Sequence, residues 1–130
     1  MTLLDANTLI HYLKGREPVV ARLQAASPRE IAVPSVVAYE IEYGSLKLGS
    51  PRRRALASQL IAALAQVPFD HDAARESARI RLDFESRGVP ISPLDLLVAG
   101  TAISRNAVLV TNNTKEFSRV KGLRLLDWTR

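Results

Sequence analysis

Residues 3–10 read Leu3-Leu4-Asp5-Ala6-Asn7-Thr8-Leu9-Ile10, a very short apolar run that stops at a carboxylate and passes into a helical pattern. Four more runs of this kind follow, Ile31–Val33, Val67–Phe69, Val108–Thr111 and Leu123–Leu126, each bounded by polar or turn residues. They are too short to alternate between a wet and a dry face, which predicts strands buried on both sides. The intervening segments carry helix signals. One opens at Pro18 and runs toward Ala26, and a second covers about Ser35 to Leu48. Gly49, Ser50 and Pro51 supply a stop, an N-cap and a first-turn proline for a third, with Leu56, Leu60 and Leu64 as its i, i+4 stripe. A fourth covers about Asp72 to Arg87, burying Ala73, Ile80 and Phe84. Ser92, Pro93 and Asp95 read as N-cap, first turn and capping-box acid of a fifth that ends near Arg105. Strand–helix alternation of this kind predicts an α/β fold with a parallel sheet covered by helices. With no repeat, linker or low-complexity tract, residues 1–130 are expected to form a single domain.

Composition narrows the chemistry. There is no cysteine, which removes disulfides, thiolate metal sites and cysteine nucleophiles together. The first apolar stretch is broken by Asp5, Asn7 and His11, so neither a signal peptide nor a membrane span is expected, and the expected location is cytoplasmic. Eighteen Lys+Arg against thirteen Asp+Glu give a net charge of +5, and fourteen of the cations are arginine. Because guanidinium forks pair with phosphates and carboxylates, the balance favours a polyanionic substrate or an acidic partner. At 5%, aromatic residues are too few for an extended base-stacking platform.

Several acids stand where a core should be. In a parallel sheet the functional crevice lies beyond the carboxyl ends of the strands. Asp5 directly follows one, and the same position would also suit a helix cap. Asp95 lies within Pro93-Leu94-Asp95-Leu96-Leu97-Val98, where a first-turn acid is also favoured by the helix dipole. Glu40 and Glu42, two apart in an otherwise apolar helix, cannot share one face, so one is expected to point inward; periodicity leaves open which. Carboxylates gathered at one edge repel by about 3 kcal/mol per pair at ~5 Å with an effective dielectric of about 20, and a cation would offset this. With His11 and His71 the only histidines, the ligands are oxygens, which suit Mg²⁺ or Mn²⁺. A hard cation on carboxylates in a basic protein points to phosphodiester chemistry, with the metal activating water. Thr111, Asn112 and Asn113 follow another strand; they are ordinary turn residues, or a hydroxyl and an amide that orient a carboxylate.

These segments, with Glu40-Ile41-Glu42-Tyr43-Gly44, Pro90-Ile91-Ser92-Pro93-Leu94-Asp95, Leu109-Val110-Thr111-Asn112-Asn113 and the tail Glu116-Phe117 to Trp128, closely resemble the PIN-domain ribonuclease toxins of the VapC type. The resemblance runs over nearly the whole chain. It implies a three-layer α/β/α sandwich on a five-stranded parallel sheet, Mg²⁺- or Mn²⁺-dependent endoribonuclease activity on transfer RNA or another structured RNA, a homodimer, and inhibition by a cognate VapB-type antitoxin. By position it makes Asp5, Glu40 and Asp95 the metal-binding acids, with Asp5 and Asp95 as direct ligands. Asn7 and Thr111 would support them. PIN domains often carry a further aspartate where this chain has Asn113, whose neutrality argues against a tightly bound second metal; Glu116 would contribute through water.

Arg52, Arg53 and Arg54 occupy a first helical turn, where cations oppose the dipole by about 0.3–1 kcal/mol each. They are candidates for RNA or antitoxin contact or for a solvated helix end. Arg81 is a candidate for the site mouth or for a surface ion pair. Other functions fit less well. An aspartyl-phosphate phosphatase needs an aspartate where Asn7 stands, and a receiver domain needs a lysine after a late strand, where Asn112 follows Thr111. A non-cleaving PIN-like module that grips nucleic acid within a regulatory complex has no reason to retain three mutually repelling carboxylates.

Overall fold

A computed structural model describes residues 1–130. Five parallel strands form one sheet in the order β3-β2-β1-β4-β5, from β1 (Thr2–Leu4), β2 (Ile31–Pro34), β3 (Ala65–Val67), β4 (Val108–Val110) and β5 (Arg124–Leu126). Seven helices connect them: α1 (Ala6–Leu13), α2 (Val19–Ala25), α3 (Ser35–Leu48), α4 (Pro51–Ala63), α5 (His71–Ser86), α6 (Pro93–Ser104) and α7 (Thr114–Phe117). Successive strand residues point to opposite faces, and Leu3 and Leu4 are both 0% exposed, as are Leu109 and Val110. Both faces of the central strands are therefore covered, as an α/β/α sandwich requires, whereas the edge strand β5, expected to be buried, has Arg124 and Leu126 exposed. The chain steps outward from β1 in both directions, to β2 on one side and to β4 on the other. The crevice at this reversal, beyond the carboxyl ends of β1 and β4, is where α/β sheets place their sites.

Helix boundaries agree with the local signals. Ser50 Oγ accepts the Arg53 N–H at 3.3 Å with Pro51 in the first turn of α4, and Gly49 closes α3 in the left-handed region at φ 66°. Two expectations need correction. The face that α4 buries is Ala57 and Ile61; Leu60 and Leu64 are partly buried and Leu56 is 43% exposed. The small Ala57 is the residue seated in the core, and the leucine stripe, one position away on the helix, flanks it. The third strand is Ala65–Val67, two residues earlier than the apolar run, because Pro68 has no N–H for the ladder. Its partner on the open side is solvent, so Ala65 and Gln66 need not be large and apolar.

Helices α5 and α6 meet at an unusually close approach. A Cβ added to Gly100 would stand 1.9 Å from Ser77 Oγ and 2.8 Å from the Ser77 backbone nitrogen, so only glycine fits. The contact seats α6, and with it Asp95, against the rest of the molecule.

Candidate active site

Asp5 directly follows β1 and is 3% exposed. It caps a helix and also reaches across the strand ends. Its Oδ1 accepts the Ala6 N–H at 2.8 Å at the start of α1, and its Oδ2 accepts the Thr111 hydroxyl at 2.7 Å from the end of β4. Thr111 is fully buried, and its Oγ1 in turn accepts the Asn113 N–H at 3.0 Å. Thr8, unremarked by sequence reasoning, donates its hydroxyl to the Val110 carbonyl at 3.1 Å and ties α1 to β4.

Glu40 resolves the two-acid question on α3. It is half-buried, whereas Glu42 is exposed, and Glu40 Oε1 is a buried oxygen with no hydrogen-bond partner. A buried acceptor without a donor is costly unless something else approaches it.

Ser92 and Asp95 depart from the predicted capping box. Ser92 occupies the N-cap of α6, but its hydroxyl caps nothing. Its backbone N–H, which a box would give to Asp95, donates instead to Glu116 Oε1 at 3.0 Å. Glu116 Oε2 accepts from Asn113 Nδ2 at 2.8 Å. Asp95 is thereby free of backbone duty.

Electrostatics show which acids have been brought together. Burial pushes the Asp5 carboxyl up, only partly offset by the hydrogen bonds from Thr111 and Ala6. Burial and then the charge of Asp5 raise Glu40. Asp95 is pushed up to about 8 by burial, by its contact with Glu116 and by the charges of Asp5 and Glu40. Glu116 is driven upward by burial, yet lies below its ordinary value because Asp95, the Ser92 N–H, Asn113 and Arg119 outweigh that effect. The charge of Asp5 thus raises Glu40, the charges of both raise Asp95, and that of Glu116 raises Asp5, as like charges near one crevice do. As oriented, no three of them stand close enough to grip one ion unaided. The donor set is nonetheless all hard oxygen, and the unpartnered Glu40 Oε1 is an acceptor that a cation would satisfy.

The remaining candidates fall elsewhere. Asn7 is exposed; its carbonyl accepts from His11 Nδ1 at 2.8 Å, and its amide supports none of the acids, contrary to the expectation. Arg81 forms an exposed ion pair with Glu85 at 3.3 Å. Arg52 and Arg54 are exposed at the start of α4, while Arg53 lines a groove of about 590 Å³ between α1, α3 and α4. That groove is walled by Ile10, Leu13, Ile41, Leu48 and Leu56, includes Glu40, and carries Lys14 as a second cation. Sequence reasoning missed Lys14, because its partners lie on helices distant in the chain.

The PIN domain pattern matches residues 2–123. The chain is 33% identical over 127 residues to the tRNA(fMet)-specific endonuclease VapC of Salmonella typhimurium, covering 97% of this chain and 96% of that one. It is 34% identical to the protein of the same name from Shigella flexneri, covering 98% and 97%. In structure it is similar to DNA-bound VapBC of Salmonella typhimurium, with a TM-score of 0.91 and coverage of 98% and 97% at 34% identity. VapBC2 of Rickettsia felis, bound to a promoter DNA fragment, gives a TM-score of 0.88 at 29% identity, covering 98% of both chains. The fold and its acid-lined crevice define a PIN domain. The chain belongs to the PIN-domain family, among the VapC ribonucleases.

Proposed function

We propose that this chain is a Mg²⁺- or Mn²⁺-dependent endoribonuclease, the toxin of a type II toxin-antitoxin pair, acting on transfer RNA in the cytoplasm. The observation that carries the reading is that Asp5, Glu40 and Asp95 feel one another's charge near the reversal between β1 and β4, with Glu40 Oε1 buried and unpartnered. Asp5 and Asp95 would hold the ion, with Glu40 beside them. When bound, it would supply positive charge to the phosphate and make a water more acidic. The chain's own residues do the rest. Thr111 holds Asp5 in one orientation. Glu40, its proton affinity raised by burial and by Asp5, accepts the proton of the attacking water as its oxygen bonds to phosphorus and the ribose oxygen leaves. Relatives named tRNA(fMet)-specific endonucleases, aligned over nearly their full length, support transfer RNA as the substrate.

Two partner readings accompany this one. The groove that includes Glu40 has apolar walls and two cations, Lys14 and Arg53, which suit an amphipathic acidic segment of a VapB-type antitoxin. Tyr39, Tyr43 and Leu46 are exposed at helical spacing on α3 and offer a face for a second copy, giving a homodimer. The test of the main reading is cleavage of purified transfer RNA with Mg²⁺ or Mn²⁺, its arrest by chelation, and its loss in Asp5→Asn and Asp95→Asn. Undiminished cleavage by either variant would overturn it. Retained, metal-independent RNA binding without cleavage would favour the non-cleaving binding module.

A further inference from the structure

We propose that Glu116 is a positioning residue that takes over the capping of α6, with Asn113 as its obligate donor, and so frees Asp95 to face the crevice. The proposal rests on the reading of Asp95 as a site residue. In a capping box the acid at the third helical position accepts the N-cap N–H. Asp95 holds that position, but the Ser92 N–H goes to Glu116 Oε1 at 3.0 Å, across 24 residues of chain. A carboxylate so placed also complements the dipole of α6, as the box acid would.

The second oxygen of Glu116 is occupied as well. Asn113 Nδ2 donates to Oε2 at 2.8 Å, while the Asn113 backbone N–H donates to Thr111 Oγ1 at 3.0 Å. The Thr111 hydroxyl then donates to Asp5 at 2.7 Å. Four hydrogen bonds, each with a defined donor and acceptor, thus join the first turn of α6 to the end of β1. The neutrality of Asn113 has a physical reason: an aspartate there would set one carboxylate against another and leave Glu116 Oε2 without a donor. Glu116 is a strut between the elements that carry Asp95 and Asp5: it accepts the Ser92 N–H and the Asn113 amide, and its carboxylate also contacts the Asp95 carboxyl.

Four variants test this: Glu116→Ala, Glu116→Gln, Asn113→Asp, and the double variant Asn113→Asp with Glu116→Gln. Glutamine keeps an oxygen for the Ser92 N–H, and its amide pairs with Asn113 once that side chain turns over; in the double variant the same amide donates to the carboxylate introduced at position 113. In metal-free protein, Glu116→Ala and Asn113→Asp should speed hydrogen exchange at the Ser92 amide by about five- to tenfold, whereas Glu116→Gln and the double variant restore protection. In RNA cleavage, Glu116→Ala should lower kcat by about 10–100-fold with KM changed less than about twofold, and the glutamine variants should recover to within about fivefold of wild type. Two results overturn the proposal. One is Glu116→Gln as inactive as Glu116→Ala while Ser92 stays protected, which makes the charge itself the requirement. The other is Glu116→Ala with unchanged Ser92 exchange. The exchange measurement uses neither RNA nor metal, so it judges the strut even if the wild-type protein cleaves nothing.

Discussion

The Thr111 hydroxyl donates to Asp5 Oδ2 at 2.7 Å, joining residues 106 positions apart at the ends of neighbouring strands. Hydrogen bonds to an ionised acceptor are among the stronger ones, and this one is buried. It favours the charged form of a carboxylate that burial pushes the other way. Asp5 is therefore held ready to ionise in a place where ionisation is expensive.

Replacing Thr111 by the near-isosteric Val removes that donor and the acceptor of the Asn113 N–H together. Asp5 then binds its proton more tightly, so the acidic limb of the cleavage pH profile should move to higher pH. Stability should fall by about 1–3 kcal/mol in urea denaturation. A pH profile superimposable on wild type would show that the hydroxyl does not tune Asp5.

The pH dependence of the metal-free protein follows from the raised acids. A carboxyl whose folded pKa lies above its unfolded one stabilises fully below the unfolded value and loses that contribution as pH rises through the folded one. For Asp95 the window runs from 3.8 to about 8, and Asp5 and Glu40 act in the same direction. Glu116 shifts oppositely, and its contribution is complete above its ordinary 4.5. With chelator present, Tm should therefore fall between about pH 5 and pH 8 from these groups, and Asp95→Asn should flatten the fall. Mg²⁺ or Mn²⁺ should act in the opposite sense, stabilising more as pH rises, because the ligands must lose their protons to bind. A Tm that climbs across this window in chelator, equally in Asp95→Asn, would contradict the assignment.

Glu40 and Glu42 form an internal comparison. Glu40→Gln should lower cleavage by about 10²–10⁴-fold if it takes the water's proton. Glu42→Gln, on the exposed side of the same helix, should leave the rate unchanged. Equal losses in the two variants, measured at saturating RNA, would argue that the negative charge of α3 matters rather than its inward acid.

Gly100→Ala tests the seat of α6. With the added carbon closer than contact to both the side chain and the backbone of Ser77, the helices must part, at a cost of about 1–3 kcal/mol or more. Denaturation should show the loss, and cleavage should fall with it because α6 carries Asp95. A variant as stable as wild type would mean that the contact relaxes freely.

Much of this architecture was legible in the chain. Leu3-Leu4-Asp5 announced a buried strand with an acid at its end, and Gly49-Ser50-Pro51 marked a helix boundary that the backbone reproduces. Local chemistry sets such features, so local reading finds them. What failed was tertiary. The Ser-Pro-x-Asp spelling of a capping box was correct as a pattern, but Glu116 arrives from another element and takes the N–H. The choice between Glu40 and Glu42 depended on what packs over α3, and the leucine stripe of α4 yielded to a smaller residue that fits closer. The four-residue α7 gave no periodicity to detect, yet it supplies Glu116.

The strand order has a consequence for synthesis. Strand β1 precedes the other strands in the chain but lies at the centre of the sheet, and one of its two neighbours, β4, begins only at Val108. Asp5 must then wait for Thr111, 106 positions further along the chain, whereas Asp95 waits only for the short stretch to Glu116. A growing chain carries Asp5 and Glu40 long before Asp95 and Thr111 exist, so the three acids can gather only after β4 has been made. In a ribonuclease built this way, activity is deferred until β4 has joined the sheet.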